Sequence, residues 1–322
     1  MHELFNIAGN TETRITPLLG SITRRSNINE LGEQLDFEIA FNDDRYFPHN
    51  PVCLGNIIIL RNTNELFRGI VVTQSQNCSS PISYNCFDYA FYLNKSKGIY
   101  QFNGTKGKEA LETILNGFKV PIGTIEPLGI VIKKIYAGDV ISDIIKDILD
   151  LAAKESGQKY RLEMRAGKLY IEKQNNEIIK ATFKLANNLA EHDVTTAISN
   201  PTRKRSIENM RNSIKVTGND KVAAESSNAE MIRQYGLLQE ISSIDGKDIA
   251  QAKNIAQNML KDLGKIFEEN SIEVPGDDRV RAGRIIEIQE IVTGMSGKYT
   301  IRDVTHTIRN GIHVMSLGLG VL

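Results

Sequence analysis

The chain has 322 residues, and its 39 Lys and Arg balance 39 Asp and Glu. That length allows two or three domains with their own cores. Zero formal net charge argues against a dedicated nucleic-acid binder, which is usually strongly basic. No apolar run approaches the ~18 residues of a membrane span. The N-terminal stretch "MHELFNIAGNTETRITPLLG" lacks the basic start and apolar core of a signal peptide, so a protein made and folded in a cytoplasm is expected. Cys53, Cys78 and Cys86 are odd in number and lack metal-type spacing. They read as reduced thiols, a Cys78–Cys86 bridge being the alternative.

The first hundred residues read as β. "RITPLLGSITRRS" and "QLDFEIAFND" alternate apolar with polar residues, as half-buried strands do. "GNIIILRN" and "LFRGIVVTQS" follow, joined by the turn-like Asn62-Thr63-Asn64-Glu65. "ISYNCFDYAFYLNKSK" completes the segment as an aromatic-rich strand. Several short strands with turns between them predict a small barrel or sandwich.

The pattern changes near Gly98. "GKEALETILNGF" predicts a short helix and "AGDVISDIIKDILDLAAKESG" a longer one. The second has Asp139 as N-cap and an apolar face of Val140, Ile141, Ile144, Ile145, Ile148, Leu149 and Ala152. Gly157 supplies its stop. "KYRLEMRAGKLYIEK" reads as a hairpin turning at Ala166-Gly167. Residues 101–178 are therefore expected to be an α/β insertion.

Strands return with "HDVTTAISN" and "NSIKVTGND", and the basic "PTRKRSIENMR" lies between them. "VAAESSNAEMIRQYG" reads as a loop with a helical turn and "LLQEISS" as a strand. A helix near 246–267 would present Ile249, Ala252, Ala256, Met259, Leu260, Leu263 and Phe267, capped by Asp245 or Asp248. "SIEVPG", "GRIIEIQEI", "GKYTIRDVTHTIR" and "GIHVMSLGLGVL" end the chain as strands. Asn310-Gly311 signals a type I′ hairpin, pairing Arg309 with Ile312 and Ile308 with His313.

One pattern occurs twice. Asp43-Asp44-Arg45 precedes Gly55 with Ile57 and Ile58, and Asp277-Asp278-Arg279 precedes Gly283 with Ile285 and Ile286. A second glycine follows fourteen residues on, Gly69 in one copy and Gly297 in the other. Gly55, Gly69, Gly283 and Gly297 are read as the turn positions of an internal repeat. The expected class is α+β and mainly β: two similar small barrel or sandwich domains, 1–100 and 179–322, flanking the insertion.

A search for chemistry assigns no catalytic, cofactor-binding or metal residue. There is no nucleophile elbow, no His-Glu-x-x-His and no dinucleotide fingerprint. Gly107-Lys108 is followed by Glu109 rather than the hydroxyl residue of a phosphate loop. Adjacent Asp43-Asp44 and Asp277-Asp278 point to opposite strand faces and read as turn residues. His306 and His313 share one face in the Asn310-Gly311 register, with His306 opposite Met315. Two imidazoles would hold a metal given a third ligand from elsewhere; none is evident, so they read as surface or interface histidines. Arg203, Lys204, Arg205 and Arg211 lack the interleaved aromatics of a single-strand binder and read as a solvated or protein-interface patch.

Three stretches together carry a resemblance. They are "LGNIIILRNTNELFRGIVV" with "YNCFDYAFYLNKSKG"; "NSIKVTGND" with "YGLLQEISSID"; and the run from "IAQAKNIAQNMLKDLGK" through "PGDDRVRAGRIIEI" to "GKYTIRDVTHTIRNGIHVMSLGL". In that order they resemble baseplate hub proteins of contractile phage tails and tail-like particles. These are the late-control D type hubs, the hubs of R-type bacteriocins and prophage-like elements, and more distantly the hub portion of type VI secretion spikes. The resemblance implies a non-enzymatic structural protein with two tube domains per chain, three chains forming a pseudo-sixfold ring between a hexameric tail tube and a threefold spike. The implied partners are further copies of the chain, the tail tube and central spike proteins, and tape-measure and wedge proteins. Assembly in a bacterial cytoplasm into a released particle is implied as well. Because the sequence stops at Leu322, any spike or peptidoglycan hydrolase is expected on separate polypeptides. A tail-tube initiator and a tail-associated cell-wall hydrolase are the alternatives.

Overall fold

The computed structural model describes residues 2–41, 49–174, 178–184, 189–218, 221–243 and 252–321. The chain divides into two compact units, Met1–Pro201 with Ser271–Leu322, and Thr202–Asn270.

In the first unit the N-terminal β module comprises β1 (Glu3–Ala8), β2 (Thr11–Arg14), β3 (Leu19–Asn27), β4 (Glu33–Ile39), β5 (Ile57–Arg61), β6 (Glu65–Ser75) and β7 (Ile82–Asp88). These strands lie in the order β3-β4-β7-β6-β5-β1-β2. Alternation does what it predicts: Leu35, Phe37 and Ile39 of β4 turn inward with Leu4, Ile58, Leu60, Phe67, Val71 and Tyr84. Phe37 and Tyr84 are cross-strand partners whose rings stack at 5.1 Å.

The strand expected through Lys97 ends early, because Asp88 turns the chain. Its Oδ1 accepts the Ala90 N–H at 3.0 Å and its Oδ2 accepts the Glu33 N–H at 2.6 Å. The short helix α1 (Ala90–Lys95) follows, then β8 (Lys97–Lys106), α2 (Gly107–Gly117), β9 (Ile122–Ile125), β10 (Val131–Val140), α3 (Ile141–Ser156), β11 (Tyr160–Arg165) and β12 (Lys168–Lys173). β8 and β10 form an antiparallel ribbon, and β9 pairs parallel to β12 beside the β11–β12 hairpin. A separate core unites Ala90 and Leu93 of α1, Leu111 and Ile114 of α2, and Ile141, Ile144, Ile145, Ile148 and Ala152 of α3. Asp139 is not the cap of α3. Val140 takes that position, and the Asp139 carboxylate instead accepts the Ala137 N–H at the end of β10. Gly157 closes the helix at φ +70°, and Ala166-Gly167 turns the hairpin with both residues at positive φ.

β13 (Thr182–Phe183), β14 (His192–Asp193) and β15 (Ser199–Ser206) follow. Residues 201–206 of the basic stretch expected between strands are themselves part of β15, and 207–211 follow it. A 3-10 turn, Val194–Ala197, takes the place of the strand expected there, with Asp193 accepting the Thr195 N–H.

In the second unit β16 (Ser213–Gly218) pairs antiparallel with β17 (Lys221–Ser227). The helix α4 (Ala229–Tyr235) is capped by Asn228, and β18 (Gln239–Ser243) runs parallel to β16. β17 replaces the first part of the expected loop, and α4 is the helical turn expected within it. The helix α5 (Ala252–Leu263) buries Ala252 and Ala256 against Ile214 and Val216. It ends at Leu263, before the C-terminal end that the sequence pattern suggests. Phe267 opens a strand instead, while Asp245, Asp248 and Ile249 lie outside the described residues.

The chain returns through β19 (Phe267–Pro275), β20 (Ile285–Glu290), β21 (Met295–Arg309) and β22 (Ile312–Val321). With Ala181 and Val194 these build a C-terminal β module around Ile272, Val274, Ile286, Ile288, Met295, Ile301, Met315 and Leu317. Asn310-Gly311 makes the expected turn at φ +51° and +77°, and pairs Arg309 with Ile312, Ile308 with His313 and His306 with Met315. β21 also pairs antiparallel with β3, from Asp303–Asn27 to Arg309–Ser21. That ladder joins the two β modules into one sheet.

Candidate functional site: a charged seam between the two β modules

The repeated glycines fall into two kinds. Gly55 and Gly283 both adopt φ +82° just before a strand. Gly55 donates its N–H to the Val71 carbonyl at 2.8 Å, and Val71 donates back to Asn56 at 2.9 Å. Gly283 donates to Ile301 at 2.8 Å, and Ile301 donates back to Arg284 at 2.8 Å. The two hairpins therefore begin with the same backbone device. Gly69 and Gly297 are not turn residues. Gly69 lies within β6 opposite Ile58, where an added Cβ would come 2.2 Å from the Phe87 carbonyl oxygen. Gly297 lies within β21 opposite Ile288. The equal spacing of the second glycines conceals different hairpin lengths. Asp43-Asp44-Arg45 lies outside the described residues.

The seam itself is charged. Arg24 on β3 is directly opposite His306 on β21. Both are about 2% exposed, so His306 is buried within the chain, where a surface or interface histidine was expected. Burial holds its imidazole well below the ordinary value, with Arg24 adding to the effect. His306 Nδ1 lies 3.0 Å from His313 Nε2, and burial holds His313 down to about 4. Asp277 and Asp278 form the turn expected of them, Val280 donating to the Asp277 carbonyl. Their carboxylates separate: Asp277 takes the Thr182 N–H and Arg279, whereas Asp278 faces His2, Asn62 and His313. Burial alone would raise the Asp278 carboxyl, but hydrogen bonds from His2 and Asn62 hold it below its usual range.

Arg281 is the hub of this seam. Its Nη1 donates to the Met164 carbonyl at 2.7 Å and lies 3.1 Å from Glu163 and 3.3 Å from Glu33. Its Nη2 donates to the Leu66 carbonyl at 3.0 Å. One guanidinium thus ties the N-terminal module to the insertion, using the planar fork that suits arginine to buried pairing. Glu163 also meets Arg165 at 2.8 Å and Arg284 at 3.1 Å. Burial would raise its carboxyl, but these arginines outweigh it and hold Glu163 at about 2. A cleft of about 380 Å³ opens beside this cluster, lined in part by Lys146, Asp150, Tyr160, Arg161 and Gly283.

Among the described residues Asp88 is the one buried carboxyl pushed the other way, to about 7 by burial. Both of its oxygens hold backbone N–H groups of β4 and α1, which explains its presence without catalysis. In the second unit the basic stretch is neutralised locally: Arg203 and Arg205 pair with Glu268, Lys204 with Glu269, and Arg211 with Glu240. Cys53, Cys78 and Cys86 are free thiols. Among the described residues no helix is long and apolar enough to cross a membrane.

Sequence reasoning anticipated the His306–His313 face but not Arg24, Glu33, Glu163, Arg281, His2 or the placement of Asp278. No local signal marks these residues, since the partners lie far apart in the chain.

Two β modules fused edge to edge, held by a charged seam and carrying an α/β insertion, define the architecture. The fold is that of phage tail proteins. Over 99% of this chain and 98% of the other it matches the 43 kDa tail protein of prophage MuSo2 from Shewanella oneidensis, with a TM-score of 0.71 at 12% identity. The tail protein of Neisseria meningitidis MC58 matches over 99% and 96%, with a TM-score of 0.65 at 14% identity. The chain belongs to the YQBQ-like family, whose model matches residues 22–320. It is 24% identical to the YqbQ protein of Bacillus subtilis (strain 168) over 264 residues, 79% of this chain and 77% of that one.

Proposed function

We propose that the protein is the structural hub of a phage-tail-type baseplate. Three copies close into a ring of pseudo-sixfold symmetry, which seats a hexameric tail tube on a threefold spike. The observation carrying this reading is the doubling within one chain: two separately cored β modules share a sheet through β3 and β21 and start their hairpins with the same glycine geometry. A chain presenting one unit twice offers six similar positions per trimer on one face while keeping threefold symmetry elsewhere. The tail-protein fold supports the same reading, as does the structural explanation available for each strongly shifted carboxyl. Further copies of the chain, the tube protein and the spike protein are the partners this role requires.

The test is the mass of the purified chain by light scattering on a sizing column, alone and mixed with candidate spike and tube proteins. A three-subunit species that images as a six-lobed ring is expected. A monomer at every concentration and in every mixture would remove the hub reading.

A further inference from the structure

We infer that His2, Asp278 and His313 form a binding site for a first-row divalent transition-metal cation, Zn²⁺ being the best fit. His2 stands just before β1, Asp278 lies in the turn after β19, and His313 lies near the start of β22. Each offers one ligand atom, and these atoms all lie within 4.8 Å of one another. His2 Nε2 is 2.8 Å from Asp278 Oδ1, and His313 Nδ1 is 3.8 Å from the same oxygen. Tetrahedral zinc with bonds of about 2.0–2.1 Å separates its ligands by roughly 3.3 Å, so small side-chain adjustments seat the ion. Two imidazoles with one carboxylate select zinc and its neighbours over magnesium or calcium, which prefer all-oxygen shells.

The surroundings orient each ligand. Asn62 donates to Asp278 Oδ2 at 2.9 Å, which leaves Oδ1 turned to the imidazoles. The His306–His313 pair can hold its protons in two arrangements. Arg24 Nη2, 3.0 Å from His306 Nε2, favours a bare nitrogen there. In that state His306 Nδ1–H donates to His313, and the remaining proton of His313 faces Asp278. The Val280 carbonyl, 2.9 Å from the same His306 Nε2, favours a proton on it. Then His313 Nε2–H donates to His306 Nδ1, and His313 Nδ1 presents a bare lone pair toward Asp278. A cation selects this second arrangement. It gives His313 the hydrogen-bonded outer nitrogen that metal-bound histidines usually have. The ligand side chains are 11%, 21% and 12% exposed, sheltered but reachable from solvent. The bound ion would staple the N-terminal β module to the C-terminal one.

The test is calorimetric titration of Zn²⁺ into the untagged, chelator-treated full chain, with thermal melting and a Co²⁺ absorption spectrum in parallel. One ion per chain, a raised Tm, and Co²⁺ bands without thiolate charge transfer are expected. His2→Gln, Asp278→Asn and His313→Gln should each weaken binding by about tenfold or more. His2→Gln, at the start of the chain, serves as the readable variant should the others fold poorly. Absence of saturable one-to-one binding overturns the site. So does wild-type affinity in His2→Gln, or a thiolate band showing that Cys53 or Cys78 holds the ion.

Discussion

Gly55 and Gly283 stand 228 positions apart, share φ +82° and donate the same 2.8 Å hydrogen bond, one to Val71 and the other to Ile301. An L side chain at positive φ costs roughly 1–2 kcal/mol. Gly55→Ala meets no atom within 4 Å, so backbone strain is its whole cost. Gly55→Ala and Gly283→Ala should therefore each lower stability by about 1–2 kcal/mol in urea melts. Gly69→Ala, whose Cβ meets the Phe87 carbonyl, should cost more than either.

Arg281 is 8% exposed and lies within 3.3 Å of both Glu33 and Glu163. Arg281→Met leaves two carboxylates buried beside it with reduced compensation. A loss of about 3–5 kcal/mol is expected by chemical denaturation. A loss under 1 kcal/mol would show that Arg24, Arg165 and Arg284 suffice without it.

Glu163 sits at about 2 against an ordinary value of 4.5. A lowered carboxyl contributes stability that is present above the ordinary value and is lost as pH falls through the folded one. Stability should therefore decline between pH 4.5 and about 2, by up to about 3 kcal/mol from this group. Glu163→Gln should flatten that part of the acid profile.

Asp88 has the opposite sign. At about 7, against 3.8, its protonated form is favoured in the fold. Its contribution is full below pH 3.8 and disappears as pH rises through 7. Asp88→Asn should remove this slope across pH 4–7 while leaving the Glu163 slope in place, a comparison made by melts at fixed ionic strength.

Ile291 and Val292 are 94% and 89% exposed, at the tip joining β20 to β21. Two adjacent apolar side chains left in water at a hairpin tip suit a surface covered on assembly. Changing both to Ser should alter monomer stability by less than about 0.5 kcal/mol. For the proposed assembly, the mass measured by light scattering should fall. An unchanged assembly would mean that this tip is not part of a subunit contact.

Much of the local structure was legible in the sequence. Asn310-Gly311 determined its hairpin down to the register, and Ala166-Gly167 marked the turn between β11 and β12. The apolar period of α3 named its buried face correctly. Errors came where a side chain overrode local pattern: Asp88 ended β7 by capping backbone groups, and Phe267 left the helical face to open β19. The Gly69–Gly297 correspondence failed because equal spacing in sequence does not require equal hairpin length.

Turns, strand alternation and helix faces were determined by the sequence by itself, because each rests on interactions within a few residues: positive φ at glycine or asparagine, the pleat, and the helical repeat. The seam was decided only in the tertiary structure. His2 meets Asp278 across 276 positions, and Arg281 meets Leu66 across 215. Such pairs depend on the two β modules each having a core and on the β3–β21 pairing that sets them side by side. Their geometry follows from the packing of whole elements, for which no short stretch of sequence carries a signal.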